Sequence, residues 1–196
     1  MSRHVIALLL VTSVAHADGD RIPTTDFDDQ QAVGVDLGVA AGGNVTAGGL
    51  RVAGHYLYQL SDVDWFDGTA AFTYGSGAAA CFRDRMAKLV CDVGLAHGNA
   101  VELAANVRRI FAPRGQFQPF ARAGIGLALV RFGDDDVSGF AIPLHVGGGL
   151  RTAVADTVSI VVAAELAAGI GRFNQGIGAE PQLGLALTAG AEFRLP

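Results

Sequence analysis

The sequence predicts an all-β fold: an eight-stranded antiparallel up-and-down β-barrel preceded by a cleavable signal peptide. Apolar residues alternate strictly with other residues through several segments of more than ten residues. The chain also holds 27 glycines among 196 residues, and glycine disfavours helices. After the first 17 residues, no apolar run reaches the roughly 18 residues that a membrane-spanning helix needs. Strands must therefore carry most of the apolar residues.

The N-terminus has the parts of a secretory signal peptide. Arg3 gives a basic start, residues 5–14 are almost unbroken apolar residues, and Ala15-His16-Ala17 has the small-x-small pattern of a cleavage site. The apolar run is too short to span a membrane, and a buried first helix is the alternative. We therefore expect a signal peptide over residues 1–17, a flexible acidic lead-in over residues 18–31, and the barrel over residues 32–196.

The last two segments show the alternation best. On one face the final segment carries only apolar residues: Leu183, Leu185, Leu187, Ala189, Ala191, Phe193 and Leu195. Residues 158–171 repeat the pattern, with Ile160 and Val162 among the apolar set. A side-chain period of two over this length predicts strands longer than the usual five or six residues. Tilted membrane strands need about 9–11 residues, which fits.

The same pattern predicts six further strands, and their order fixes the orientation. The eight strands are expected near residues 33–40, 50–60, 70–74, 101–108, 118–129, 140–151, 158–171 and 182–195, the third being the weakest. Connectors 61–67, 112–115 and 153–156 lie at one end, and connectors 42–47, 76–99, 132–138 and 173–181 at the other. An even strand number places both termini at the periplasmic end and loop 76–99 outside the cell. A ninth strand within residues 87–96 would break this parity.

The second face of the predicted strands carries charges among small residues. These charges are Asp36, Arg51, Glu102, Arg108, Arg122, Arg151, Glu165, Glu192 and Arg194, with His55 and His145 beside them. A water-soluble, lipocalin-like barrel needs a charged outer surface, whereas a narrow lumen needs glycine and alanine to make room for arginines. The pattern therefore favours a transmembrane barrel plugged by paired charges. A narrow pore or ligand-binding barrel for small solutes is the alternative function.

A resemblance to a known family rests on the second half of the chain. Residues 117–126, FQPFARAGIG, resemble the P-[YF]-x-x-x-G-x-G strand of the OmpA-like transmembrane domain and related small outer-membrane β-barrels. Residues 147–151, GGGLR, and the final EFR at 192–194 extend the likeness. The resemblance implies an outer-membrane location and roles from structural anchor to adhesion, with no shared activity. Family members usually end on the aromatic residue, whereas three residues follow Phe193 here.

The sequence holds no motif for catalysis, cofactor binding or nucleic-acid binding. H-E-x-x-H, G-x-S-x-G and Walker patterns do not occur, so we expect no enzyme and no cofactor. The formal net charge of −5 argues against nucleic acid, which attracts basic surfaces. His55 and His145 both point inward in the predicted register. We expect a monomer whose main surroundings are outer-membrane lipid.

The two cysteines of the chain fall in the longest predicted external loop. Cys81 and Cys91 would meet an oxidising compartment, which predicts a disulfide. A metal site completed by Asp92 or His97 is the alternative, although the spacing matches no standard zinc pattern. The charged residues between the cysteines, Arg83, Asp84, Arg85 and Lys88, are candidate contacts for an unknown extracellular ligand or surface partner.

Overall fold

The computed structural model describes residues 30–44, 46–75, 80–83, 89–92, 98–133, 137–174 and 178–196. Ten strands occur among them: β1 (Gln31–Asn44), β2 (Gly49–Gln59), β3 (Asp64–Gly75), β4 (Ala80–Arg83), β5 (Leu89–Asp92), β6 (Gly98–Ile110), β7 (Phe117–Phe132), β8 (Val137–Ala155), β9 (Val158–Phe173) and β10 (Gly178–Arg194). No helix in these described ranges is long and apolar enough to cross a membrane.

Eight of these strands close into one barrel. Each strand pairs antiparallel with its neighbour in the order β1-β2-β3-β6-β7-β8-β9-β10, and β10 returns to β1. The closing ladder runs from Ala32 opposite Arg194 to Asn44 opposite Gln182. Closure leaves no strand edge unpaired, as a span through hydrocarbon requires. The predicted eight-stranded up-and-down barrel is confirmed.

The remaining two strands form a hairpin outside the barrel wall. β4 pairs only with β5, in a separate two-stranded sheet within the longest connector. β5 overlaps the stretch where a ninth barrel strand was considered, and it does not join the wall. The barrel count therefore stays even, so β1 begins and β10 ends at the same end of the barrel. That end is the periplasmic one in bacterial single-chain barrels.

The apolar face of the wall points outward. The predicted outward residues Leu127, Leu144, Ile160, Val162, Leu183, Leu185 and Leu187 are each between 45% and 59% exposed. On β7 the exposed and buried residues alternate along nearly the whole strand. Rows of exposed apolar side chains are sustained in lipid but not in water. The direction predicted for the two faces is confirmed.

Several strands are longer than predicted, because their ends were assigned to connectors. The turn predicted over residues 61–67 is confined to residues 60–63, and β3 already begins at Asp64. Trp65 therefore lies inside the barrel, buried, and not in a periplasmic turn. At the other end, β7 continues to Phe132 and β9 to Phe173. β1 begins at Gln31, one residue before the predicted boundary of the barrel.

The core of the protein lies inside the barrel, in three layers. The extracellular cluster is made of Ala47, Ala128, Val130, Phe132, Val137, Ala141 and Phe173. The periplasmic cluster is made of Ala32, Leu57, Trp65, Ile110, Phe120, Val161 and Ala163. Charged and polar side chains fill the layer between them. The alternation in the sequence does not predict the extracellular cluster, because both of its phenylalanines fall in predicted connectors.

Candidate functional site

The middle layer of the lumen is a continuous network of ion pairs, and Asp67 is its centre. The carboxylate of Asp67 is fully buried. Its Oδ2 atom lies 2.6 Å from Nη2 of Arg108 and 3.6 Å from Nη1 of Arg122. Its Oδ1 atom lies 2.9 Å from Nδ1 of His55 and accepts a hydrogen bond from the Thr69 hydroxyl at 3.1 Å. One carboxylate thus joins strands β2, β3, β6 and β7.

One branch of the network runs from Asp67 towards the extracellular end. Arg122 contacts Glu165 at 2.8 Å, from Nη2 to Oε2. Arg51 contacts Glu102 at 2.8 Å and Glu165 at 3.7 Å. His145 is buried beside both carboxylates, with Nδ1 3.3 Å from Glu165 Oε1 and Nε2 3.9 Å from Glu102 Oε1. Each carboxylate in this branch therefore has at least one guanidinium partner.

A second branch runs towards the periplasmic end. Glu192 lies between Arg108, to which it is directly paired, and Arg151, whose Nε is 2.9 Å from Glu192 Oε2. Gln118 accepts a hydrogen bond from Arg151 Nη1. The guanidinium of Arg108 also lies 4.6 Å from the centre of the Phe120 ring, within the range of a cation–π interaction. The ring thus joins the charged layer to the periplasmic cluster.

A third branch joins His55 to two carboxylates. Its Nδ1 atom lies 2.9 Å from Asp67, and its Nε2 atom lies 3.2 Å from Asp36 Oδ2. The network thus holds five carboxylates and four guanidiniums, and the imidazole rings of His55 and His145 each lie between two of the carboxylates.

The structure places eight of the nine predicted lumen charges in this network. The eight are Asp36, Arg51, Glu102, Arg108, Arg122, Arg151, Glu165 and Glu192. Arg194 differs from the prediction: it is exposed at the periplasmic mouth, because β10 ends there. Asp67 is an additional member of the network: it lies in β3, although the sequence predicts a connector over residues 61–67. The row Trp65, Asp67, Thr69, Ala71 and Thr73 alternates inward and was the available signal.

Three of the buried groups have the residue types of a metal site, but their partners argue against one. Ligand atoms of Glu102, His145 and Glu165 lie within 4.8 Å of one another. Arg51 and Arg122 already contact the two carboxylates at 2.8 Å. A divalent cation there would face two guanidiniums in a medium of low dielectric, which is costly. The geometry fits charge compensation better than metal binding.

Two of the spaces left inside the barrel are small. A cavity of about 60 Å³ lies beneath the extracellular cluster, lined in part by Arg51, Glu102 and His145. A void of about 10 Å³ lies next to Trp65 and Arg108. The large space is a vestibule of about 420 Å³ at the periplasmic mouth, which ends on Trp65 and Ile110. The only large space in the described part of the lumen is thus this vestibule, which is open at the periplasmic end.

The external loop is described only in part. The backbone register sets Cys81 directly opposite Cys91 in the β4–β5 hairpin. The side chains of this hairpin, Arg83 among them, lie outside the description, as do Asp84, Arg85 and Lys88 altogether. The signal peptide and most of the lead-in, residues 1–29, fall outside the described residues as well. The disulfide, the loop contacts and the signal peptide therefore stay predictions.

Comparison with known proteins supports the fold through structure alone. No protein-family model matches the chain, and no curated protein is detectably similar in sequence. The crystal structure of Neisserial surface protein A is similar with a TM-score of 0.61 and 18% identity, over 83% of this chain and 96% of that one. Ail, the attachment invasion locus protein of Yersinia pestis, is similar with a TM-score of 0.52 and 13% identity, over 85% of this chain and 99% of that one. The chain thus has the fold of the small bacterial outer-membrane β-barrels.

Proposed function

We propose that the protein is an outer-membrane β-barrel with a closed lumen and a structural or surface-interaction role. Its outward face is a belt of exposed apolar side chains, which lipid accommodates and water does not. Its even strand number puts the start of β1 and the end of β10 at the same end of the barrel, which supports a periplasmic location for that end. The fold is shared with Neisserial surface protein A and with Ail, an attachment invasion locus protein. These observations support both the outer-membrane location and a structural or surface-interaction role.

The observation that carries the closed lumen is the layered interior. The ion-pair network crosses the barrel from β1 and β2 to β8 and β9, and an apolar cluster covers it at either end. A solute would have to separate buried charges from their partners, and each such separation is expensive. Eight strands also leave little room beyond their own side chains. The network is therefore proposed as a structural plug.

The conductance of the purified barrel in planar lipid bilayers tests the plug. We expect no stepwise current, while a known porin in the same membrane supplies the positive control. A steady conductance with ion selectivity would instead favour the narrow-pore alternative. The variant Phe132→Ala with Phe173→Ala removes the two rings of the extracellular cluster but leaves the charged layer intact. We expect this variant to remain closed, because the charges form the barrier.

The surface role is proposed for the connector between β3 and β6. Arg83, Asp84, Arg85 and Lys88 give the stretch between Cys81 and Cys91 a net charge of +2, from three basic residues and one acidic residue. Ail has been crystallised with the heparin analogue sucrose octasulfate, so one barrel of this fold binds a polyanion. By its own charges, the connector here suits an anionic partner outside the cell. A disulfide between Cys81 and Cys91 would fix the loop in one shape before binding.

Binding of cells that display the barrel to heparin-coated beads tests this role. The triple variant Arg83→Glu, Arg85→Glu and Lys88→Glu should bind at least tenfold less. Arg114→Glu, in the turn at the opposite end of the barrel, is the matched control and should bind like the unchanged protein. Equal binding of the triple variant and the control would remove the loop from the proposal and leave the structural role.

A further inference from the structure

The periplasmic mouth of the barrel is a vestibule with an excess of positive charge. The vestibule measures about 420 Å³. Arg114, Arg151 and Arg194 line it, and Asp62 is the single acidic residue among its lining side chains. The lining groups thus sum to a charge of +2. Basic groups gathered in a concave site attract anions more strongly than the same groups spread over a convex surface.

Two of these arginines have no carboxylate partner in the part of the chain that the structure describes. Neither Arg114 nor Arg194 forms an ion pair there. Arg151 does contact Glu192, which also pairs with Arg108 deeper in the lumen, so the charge of Arg151 is compensated within the network. The uncompensated basic groups of the mouth are therefore Arg114 and Arg194, against the single carboxylate of Asp62. Planar guanidinium groups present paired N–H donors that match the oxygens of a carboxylate or a phosphate.

Gln118 holds the vestibule in a defined shape. Its side-chain Nε2 donates a hydrogen bond to the backbone carbonyl of Pro113 at 2.7 Å. Its Oε1 atom accepts a hydrogen bond from Arg151. The turn that carries Arg114 is thereby tied to Arg151 on β8. A site whose donors are fixed before binding loses less conformational entropy when it closes on a ligand.

We propose that this vestibule is a binding site for an anionic group, a carboxylate or a phosphate, held by Arg114 and Arg194 with Arg151 behind them. The proposed site is distinct from the ion-pair network and from the external loop, and binding there does not depend on the roles proposed for them. The anion has two possible sources. One is a small molecule of the periplasm. The other is this chain itself, because Asp26, Asp28 and Asp29 precede Gln30, which lines the vestibule.

The fluorescence of the single tryptophan reports on the site directly, because Trp65 lines the vestibule. The folded mature protein, in a detergent without phosphate groups, is titrated with inorganic phosphate at constant ionic strength. We expect a saturable change in emission. The variant Arg114→Gln with Arg194→Gln should need at least tenfold more phosphate. Arg131→Gln, exposed at the extracellular end of β7, is the matched control and should titrate unchanged.

A second variant separates the two sources of the anion. In the triple variant Asp26→Asn, Asp28→Asn and Asp29→Asn, phosphate should bind at least tenfold more tightly if these carboxylates normally occupy the site. Unchanged affinity would identify a free anion as the ligand. The proposal is overturned if neither the unchanged chain nor the triple variant gives a saturable response. It is equally overturned if the double arginine variant, or Arg114→Gln alone should the double variant not fold, binds phosphate as well as the control.

Discussion

Asp67 and Arg108 form the central ion pair of the lumen, with Oδ2 and Nη2 only 2.6 Å apart. Asp67 has no exposed surface, and Arg108 is 2% exposed. Two charges withdrawn from water in this way compensate each other, and the loss of one leaves the other stranded. Because Asp67 also contacts His55 and Arg122, its removal would affect every branch of the network.

We therefore predict that Asp67→Ala lowers the free energy of unfolding by about 3–5 kcal/mol, the range found when one partner of a buried pair is removed. Urea unfolding of the barrel in lipid vesicles measures this change. Asp62→Ala is the matched control, because Asp62 is exposed in the turn just before β3. The control should change the free energy by less than about 0.5 kcal/mol. A loss below about 1 kcal/mol for Asp67→Ala would contradict the central role given to this carboxylate.

The faces of the barrel could be predicted from the sequence because alternation is a local property. A strand turns every second side chain to the same side, so Leu183, Leu185 and Leu187 share a face whatever they pack against. The charges opposite them then had to point inward, which located most of the network. Glycine and alanine around those charges distinguished a narrow lumen from a wet outer surface.

The pairing inside the lumen could not be predicted, because it depends on register between strands. His55 lies between Asp36 and Asp67, which come from β1 and β3, and no local pattern brings these three together. Strand ends were missed for a related reason. Residues 61–64, SDVD, have the composition of a turn, and Asp67 follows closely enough to be read as part of it.

β1 and β10 lie so close together that a glycine between them should not tolerate a side chain. Gly190 pairs with Asp36, and a methyl group at its Cβ position would overlap the backbone carbonyl of Val35 and the carboxylate of Asp36. Gly190→Ala should therefore cost about 1–3 kcal/mol through overpacking. Gly54→Ala is the control, because a Cβ atom there would lie 4.0 Å from the Ala70 carbonyl oxygen, which is an ordinary contact distance. Equal stability of the two variants in vesicle unfolding would show that the strands can separate to admit a methyl group.

The lipid-facing belt predicts that the cost of a charged substitution depends on its depth in the membrane. Leu103 lies near the middle of β6 and is 62% exposed, and Phe111, equally exposed, lies just beyond the periplasmic end of that strand. An arginine costs about 2–4 kcal/mol near the bilayer midplane and about 0–1 kcal/mol near the interfaces. Leu103→Arg should thus destabilise the barrel in vesicles much more than Phe111→Arg. Similar effects of the two variants would argue against a membrane around β6.

The last prediction concerns Cys81 and Cys91 in the external hairpin. Their backbones lie directly opposite in the β4–β5 ladder, and opposite residues in an antiparallel pair have Cα atoms about 4.5–5.5 Å apart. That range lies within the span a disulfide needs, and the compartment is oxidising. We expect no free thiol on titration of the folded native protein. Cys81→Ser with Cys91→Ser should leave barrel stability unchanged, because the hairpin pairs outside the wall, while proteolysis within residues 76–97 becomes faster. Two titratable thiols in the native protein, or failure of the double variant to assemble, would contradict this account of the loop.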